Sequence, residues 1–255
     1  MTDASRSASG SASGPEDLTE DGMLGGRLIL RQPRRGFRSA SDAALLAAAV
    51  PARSGERVLD WGSGAGAAGL CLGRRVEGLE LHGLEANPAM AALSEANAAA
   101  NGLSWRAHVG RVEAPPAGLK ALEFDHVLTN PPYFPAGFAA SPESLRDEAN
   151  RESAPLALWL RGALKRLRPG GSLTIVQRVE RLAEILAALE GGAGSWAILP
   201  LAPKSGLPAK LILMRGIKGG RSPLRLAFPL VLHEPGGAFA PEAEAILREG
   251  RALAF

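Results

Sequence analysis

The 255-residue chain has one cysteine, one tyrosine and no long apolar run. Each scarcity excludes something. A lone Cys71 forms no internal disulfide and no multi-cysteine metal site, so it reads as a buried spectator. His82, His108, His126 and His233 show no metal-ligand spacing, and no metal is expected. No stretch approaches the ~18 apolar residues of a membrane span. Met1 to Arg6 carries no basic-then-apolar signal, so the expectation is a cytoplasmic protein with no membrane contact. Acidic residues are missing from Lys204 to Arg225, where Lys204, Lys210, Arg215, Lys218, Arg221 and Arg225 supply six positive charges. A one-sign tract of this kind suits a polyanion such as nucleic acid; the plainer reading is a solvated strand face.

What is present is an ordinary globular composition, 46% hydrophobic and 22% charged. Residues 1–22 are Ser/Gly/Ala-rich and then acidic, and read as a disordered tail carrying −4 of a chain total of +3. Residues 23–255 read as one domain. Gly26 to Phe37 suggests a short hairpin, and Ser41-Asp42 starts an alanine-rich helix that Pro51 ends. A regular rhythm follows. Strands are expected at Arg57–Asp60, Gly78–Glu85, Ser104–Val109, Phe124–Thr129 and Ser172–Val176, with helices between. Arg168-Pro169-Gly170-Gly171 reads as a turn, and Trp159 as a core residue of a helix opening near Ser153. Strands alternating with helices imply βαβ units, a mostly parallel sheet and helices on both faces. Two late strands without a helix between them should pair antiparallel at one edge.

Asp60-Trp61-Gly62-Ser63-Gly64-Ala65-Gly66 joins the first of these strands to its helix. Glycines there permit a tight turn and close approach of a ligand to the backbone. Ala67 stands where a dinucleotide fingerprint has its third glycine, so a phosphate-free ligand is favoured at least equally. Glu85 ends the next strand, about 20 residues on, where an acid grips a ribose diol. S-adenosyl-L-methionine has the ribose and lacks the phosphate. Trp61 either covers such a cofactor or packs.

Asn130-Pro131-Pro132-Tyr133 closes the strand-like run Phe124 to Thr129. The side-chain oxygen of Asn130 and the carbonyl of Pro131 are two acceptors suited to the hydrogens of a planar amine. Prolines fix φ and restrict the preceding residue, which holds that carbonyl outward. Tyr133 offers a ring on which a flat base stacks. An isolated match of four residues would be an ordinary Pro-Pro turn; its place after a strand, downstream of the glycine loop, argues for methyl transfer to an amide or aromatic amine.

With these motifs the chain resembles the bacterial tRNA1(Val) adenine-37 N6-methyltransferase family, within the class I S-adenosylmethionine-dependent methyltransferases. The resemblance runs through Gly36 to Asp42 with Leu45-Leu46, Leu59 to Gly66, Leu84-Glu85-Ala86-Asn87, Asn130 to Phe134, Arg168 to Gly171 and the tail from Pro208 to Glu234. It implies a Rossmann-like, seven-stranded, mostly parallel sheet with one antiparallel edge strand. It implies S-adenosylmethionine contacts from Asp42, Asp60, Trp61, Gly62, Gly64, Glu85, Ala86, Asn87 and Asn130. It assigns catalysis to Asn130, Pro131, Pro132 and Tyr133, with tRNA as partner and a monomer favoured. RNA contacts are expected from Tyr133, Phe134 and the six basic residues of the tract. Asp42 reads nearly as well as a helix N-cap. Arg111 stands where the family often has an acid near the cofactor adenine. Two other activities share parts of this pattern: a protein-glutamine methyltransferase, which uses the same four residues, and a non-catalytic RNA-binding module on the same fold.

Overall fold

The computed structural model describes residues 18–34, 41–133 and 154–255. The chain opens with a hairpin of β1 (Leu18–Met23) and β2 (Leu28–Pro33), paired antiparallel from Leu18↔Pro33 to Met23↔Leu28. There follow α1 (Ser41–Ala49), β3 (Arg57–Trp61), α2 (Ala67–Arg75), β4 (Glu80–Glu85), α3 (Pro88–Ala100) and β5 (Arg106–Val109). Next come α4 (Ala117–Lys120), β6 (Phe124–Thr129), α5 (Leu156–Arg166), β7 (Leu167–Arg178) and α6 (Leu182–Ala188). The chain ends with β8 (Ala193–Lys204), β9 (Leu211–Lys218), β10 (Arg225–Leu226), β11 (Leu230–His233) and α7 (Pro241–Glu249). Among the described residues no helix is long and apolar enough to cross a membrane.

The main sheet runs β5-β4-β3-β6-β7-β9-β8, with short β10 and β11 on the outer side of β8. Only β9 is antiparallel to its neighbours. The class expected from the sequence is therefore present, with one difference of place. The antiparallel strand lies inside the margin, because β8 crosses over it and pairs along its outer side. Strand order runs outward through β4 and β5 in one direction from β3, and through β6 and β7 in the other. That reversal between β3 and β6 is where open α/β sheets hold ligands, beyond the carboxyl ends of the strands.

Side chains alternate between the two faces. Leu128 of β6 joins a core formed with α1, α2 and α7, and neighbouring Val127 joins a second core formed with α5 and α6. Helix α1 is built from small residues that let it sit wholly inside the first core, with Ala43 to Ala49 all buried. Asn97 of helix α3 and Asn101, which caps its C-terminus, lie about one turn apart. Their side chains bond the backbone of β2 at Arg31 and Ile29, and Asn97 also reaches the carbonyl of Ala65 at 3.0 Å. The hairpin is thereby tied to the glycine loop.

Three expectations change. The tail read as residues 1–22 does not extend that far, since Leu18 to Gly22 form most of β1; the acidic side chains are used, Asp21 accepting from Gln32 at 3.0 Å. The hairpin is accordingly earlier than Gly26 to Phe37. Arg168 to Gly171 is not a separating turn: it swells out of a continuous β7, whose register against β6 shifts between Phe124↔Leu167 and His126↔Ser172. Cys71 is buried, and burial pushes its thiol up to about 12, as a spectator requires.

Candidate active site

Strands β3 and β6 are neighbours in register, with Asp60 opposite Leu128. The loops that leave their carboxyl ends therefore emerge side by side, roughly one strand spacing of about 4.8 Å apart. One is the glycine loop, the other Asn130-Pro131-Pro132-Tyr133.

The glycine loop turns on left-handed backbone at Gly62, Gly64 and Gly66, with φ of 82°, 54° and 88°. Gly62 is packed from below, where a Cβ would meet the Trp159 ring at 2.4 Å, while a Cβ on Gly64 would meet open space. Glu85 grips the loop from β4: one carboxylate oxygen accepts from the Gly64 N–H at 2.9 Å, the other from the Asn87 N–H at 2.8 Å. Asn87 caps α3, its side chain accepting from Ala89 and Met90. Ala86 and Asn87 are exposed beside Gly64. Asp60 is buried beneath the loop and accepts from the Gly69 N–H at 2.9 Å. Burial pushes its carboxyl up to about 7, Glu85 adding to the rise and the Gly69 bond opposing it.

Trp61 is corrected: its side chain is fully buried in the second core, so the indole packs and covers no ligand. The backbone carbonyl of Trp61 accepts from the Thr129 hydroxyl at 2.7 Å, and Thr129 in turn accepts from the Trp159 indole at 2.9 Å. Trp159 is core, as expected, and it also locks β3 to β6 just below both loops.

In the second loop, the Oδ1 of Asn130 is buried and has no hydrogen-bond partner among the described residues. Such an acceptor costs about 1–3 kcal/mol when left unsatisfied. The Tyr133 hydroxyl donates to Asp42 at 2.6 Å. Burial, then the Asp42 charge, drives the phenol well above its usual range, and an Asn130 side-chain hydrogen bond acts the other way. Asp42 thus anchors Tyr133, a role that neither of its sequence readings contained. The missed residue is Gln177. It is fully buried at the end of β7 and donates to the carbonyls of both Pro131 and Pro132 at 3.3 Å, while its own oxygen accepts from the Arg178 N–H at 2.9 Å. Its signal was a lone amide ending the apolar run of β7. Phe134 and Gly36 to Ala40 lie outside the described residues. Arg111 is exposed and pairs with Glu113 at 3.0 Å.

The basic tract does not form one surface. Arg215 is half-buried and donates to the carbonyls of Ala49 and Phe255; Lys218 donates to the carbonyl of Leu167. These two hold the fold together and are corrected as RNA contacts. Lys204 and Lys210 flank the β8–β9 connection at the end of the sheet that carries both loops, Lys210 accepting through its carbonyl from the Val179 N–H. Lys204 donates to the Pro235 carbonyl at 3.0 Å. Arg221 and Arg225 are exposed on the outer edge.

A mostly parallel sheet with one inverted strand next to its margin, and a ligand cleft at the β3/β6 reversal, is the scaffold of a class I methyltransferase. The chain belongs to the methyltransferase small domain family, whose model matches residues 39–191. Among curated relatives, tRNA1(Val) (adenine(37)-N6)-methyltransferase of Pasteurella multocida is 32% identical over 56% of this chain and 61% of its own length. The protein of the same name from Aeromonas salmonicida is 29% identical over 81% of this chain and 87% of its own. For three of the curated relatives the matched stretch spans between 52% and 66% of their length. A crystal structure of an Agrobacterium tumefaciens protein described as a predicted O-methyltransferase is 30% identical, with a TM-score of 0.69, covering 83% of this chain and 97% of that one. S-adenosyl-L-methionine is the cofactor of this class. The residues present fit it: Gly64 leaves its flank open and Glu85 stands beside that opening, one oxygen on the Gly64 N–H and the other on the Asn87 N–H.

Proposed function

We propose that the protein transfers a methyl group from S-adenosyl-L-methionine to the exocyclic N6 amine of an adenine in tRNA, at position 37 of the anticodon loop, acting as a cytoplasmic monomer. The observation that carries this reading is the buried Oδ1 of Asn130, without a hydrogen-bond partner among the described residues, on a loop adjacent to the cofactor cradle.

The exocyclic nitrogen of adenine is a poor nucleophile because its lone pair is delocalised into the ring. Asn130 Oδ1 accepts one of its hydrogens. The Pro131 carbonyl has two lone pairs, of which Gln177 engages one, and the other accepts the second hydrogen. Drawn by two acceptors, the nitrogen moves toward tetrahedral geometry and its lone pair is freed. Tyr133, anchored through Asp42, holds the base plane. When bound, the cofactor supplies an electrophilic methyl group on a sulfonium. Glu85, Ala86 and Asn87 hold its ribose side and Asp60 to Gly64 its amino-acid side. Most of the rate enhancement is positioning and preorganised electrostatics, and the surplus proton leaves to water.

Two acceptors aimed at one atom ask for two hydrogens, which favours an amine over a hydroxyl and so separates this site from oxygen methylation. A glutamine side chain meets the same requirement. Lys204 and Lys210 at the catalytic end favour a nucleic acid over a protein acceptor, and the names of the curated relatives point to tRNA. An anticodon-loop base is already unpaired, which spares the few kcal/mol of flipping it from a duplex.

The test is to incubate the protein with labelled cofactor and total RNA from a strain lacking the gene, then digest to nucleosides. Label in N6-methyladenosine is expected. Label in protein, or in ribose-methylated nucleosides, contradicts the reading.

A further inference from the structure

From Gly191 to His233 the sequence has no acidic residue, and this stretch forms the outer margin of the sheet. Along it, β10 pairs with β8 only at Arg225↔Ala197 and Leu226↔Ile198, and β11 resumes at Leu230↔Leu201. The stretch from Arg221 to Phe228, which runs through β10, carries side chains that a fold does not otherwise place in water. Phe228 is 96% exposed and Leu226 66% exposed. Arg221 and Arg225 are exposed in the same segment.

Arginines on a sheet margin serve to keep other strands away. An exposed phenylalanine and leucine among them work against that purpose, so edge protection explains half of the feature. Basic side chains interleaved with an exposed aromatic match what single-stranded nucleic acid asks for: charge for the phosphates and a ring for a base. Pairing with a second copy about a two-fold axis is disfavoured, because it would bring Arg225 and Arg221 toward their own kind.

Register fixes where this margin lies relative to the reaction. Gln177, which holds the catalytic loop, is opposite Ile212, and Ile212 is opposite Pro200. Phe228 falls between Leu226, opposite Ile198, and Leu230, opposite Leu201, so it stands near the level of Pro200. It is therefore near Gln177 in height and three strand spacings away, about 14 Å at ~4.8 Å per spacing. That is about four nucleotide steps of ~3.4 Å along a strand of a duplex. An RNA hairpin with one loop base at Asn130 has other nucleotides within reach of the margin.

We propose that Arg221, Arg225, Leu226 and Phe228 form a second RNA-docking strip. A base of the substrate, other than the one methylated, stacks on Phe228, and the two arginines hold neighbouring phosphates. The proposal rests on the RNA reading of the site above. It sets the length of RNA needed for tight binding and leaves the chemistry at Asn130 untouched.

The experiment uses the full chain with deacylated tRNA, measuring affinity by fluorescence anisotropy across salt concentrations and, separately, KM and kcat for methyl transfer. Phe228→Ser should weaken tRNA binding about 5- to 100-fold and raise KM to match, with kcat held within about twofold. Phe228→Trp should restore wild-type affinity. Replacing Arg221 and Arg225 with alanine should lower the salt slope by roughly 1.4, at ~0.7 per single-strand phosphate contact. Unchanged affinity in Phe228→Ser overturns the strip. So does a wild-type dimer in sedimentation that Phe228→Ser converts to monomer, or wild-type binding to anionic vesicles that the substitution abolishes. Because affinity is read without turnover, wild-type protein that binds tRNA through Phe228 but makes no N6-methyladenosine sinks the methylation reading and leaves the strip standing.

Discussion

Gln177→Leu removes a buried side chain that ties β7 to the Asn130–Tyr133 loop, at nearly constant volume. Three groups lose partners: the carbonyls of Pro131 and Pro132, each at 3.3 Å, and the Arg178 N–H at 2.9 Å. Good N–H···O bonds lie between about 2.7 and 3.2 Å, so the two carbonyl contacts are weak and the Arg178 bond carries most of the cost. With about 1–3 kcal/mol for a buried group left unsatisfied, the expected loss of stability is roughly 2–3 kcal/mol, read as a lower urea midpoint at constant slope. The effect on rate is separate. A carbonyl free to swing away from the amine forfeits about 1 kcal/mol in the transition state, or about fivefold in kcat, with KM for the cofactor unchanged. Gln177→Glu discriminates positioning from mere packing. Its carboxylate would face two carbonyl oxygens, so only the protonated form can hold the loop, and relative activity should rise as pH falls. If Gln177→Leu loses stability but keeps full kcat, and Gln177→Glu shows the wild-type pH profile, Gln177 has no part in aiming the Pro131 carbonyl.

Asn130→Ala should lower kcat by about 10²–10³, comparable to removing one aimed hydrogen-bonding group, while calorimetry shows cofactor binding intact; full turnover in that variant excludes the acceptor role. Tyr133→Phe keeps the ring and breaks the 2.6 Å bond to Asp42, so KM for RNA should rise a few-fold with little change in kcat, and an equal change in Asp42→Asn would confirm that the two act together. Asp60 gives a pH prediction. Its folded value of about 7 lies above the ordinary aspartate value of 3.8, so in the window between them the folded state holds more protons than the unfolded state. Stability therefore falls as pH rises from about 4 to 7, by up to ~4 kcal/mol at 1.36 kcal/mol per unit, and is flat above. Asp60→Asn should flatten urea midpoints between pH 5 and 8; a wild-type protein equally stable at both contradicts the buried, protonated carboxyl. Lys210→Glu, at the catalytic end, should weaken tRNA binding and its salt dependence, whereas Lys218→Gln should cost stability and leave the salt slope alone.

Local features were legible because local chemistry fixes them. The Asn87-Pro88 helix start is a cap followed by proline, and the glycine loop sits where a strand must turn into a helix. Leu18 to Met23 was invisible as a strand because its sequence, LTEDGM, has no apolar alternation; it pairs through Thr19, Asp21 and Gln32. Asp42 and Tyr133 lie 91 residues apart, and Gln177 lies more than 40 from the prolines it holds, so no spacing rule could join them. The basic tract misled for a different reason. Counted along the chain, its charges make one block. Threaded along β9, Lys210 and Lys218 fall at opposite ends, separated by about 27 Å at ~3.4 Å per residue. Arg215, midway, turns inward to the carbonyls of Ala49 and Phe255.

The central claim is that Asn130 and Pro131 act on the hydrogens of an exocyclic amine. It is tested most directly by single-turnover methylation of an anticodon stem-loop RNA with adenosine at the target position, against the same RNA carrying purine riboside there. The purine RNA lacks only the amine. It should bind within a few-fold of the parent and accept no methyl group, while the adenosine RNA yields N6-methyladenosine. Methylation of both RNAs at similar rates would place the acceptor on the ribose or elsewhere on the ring and contradict the account.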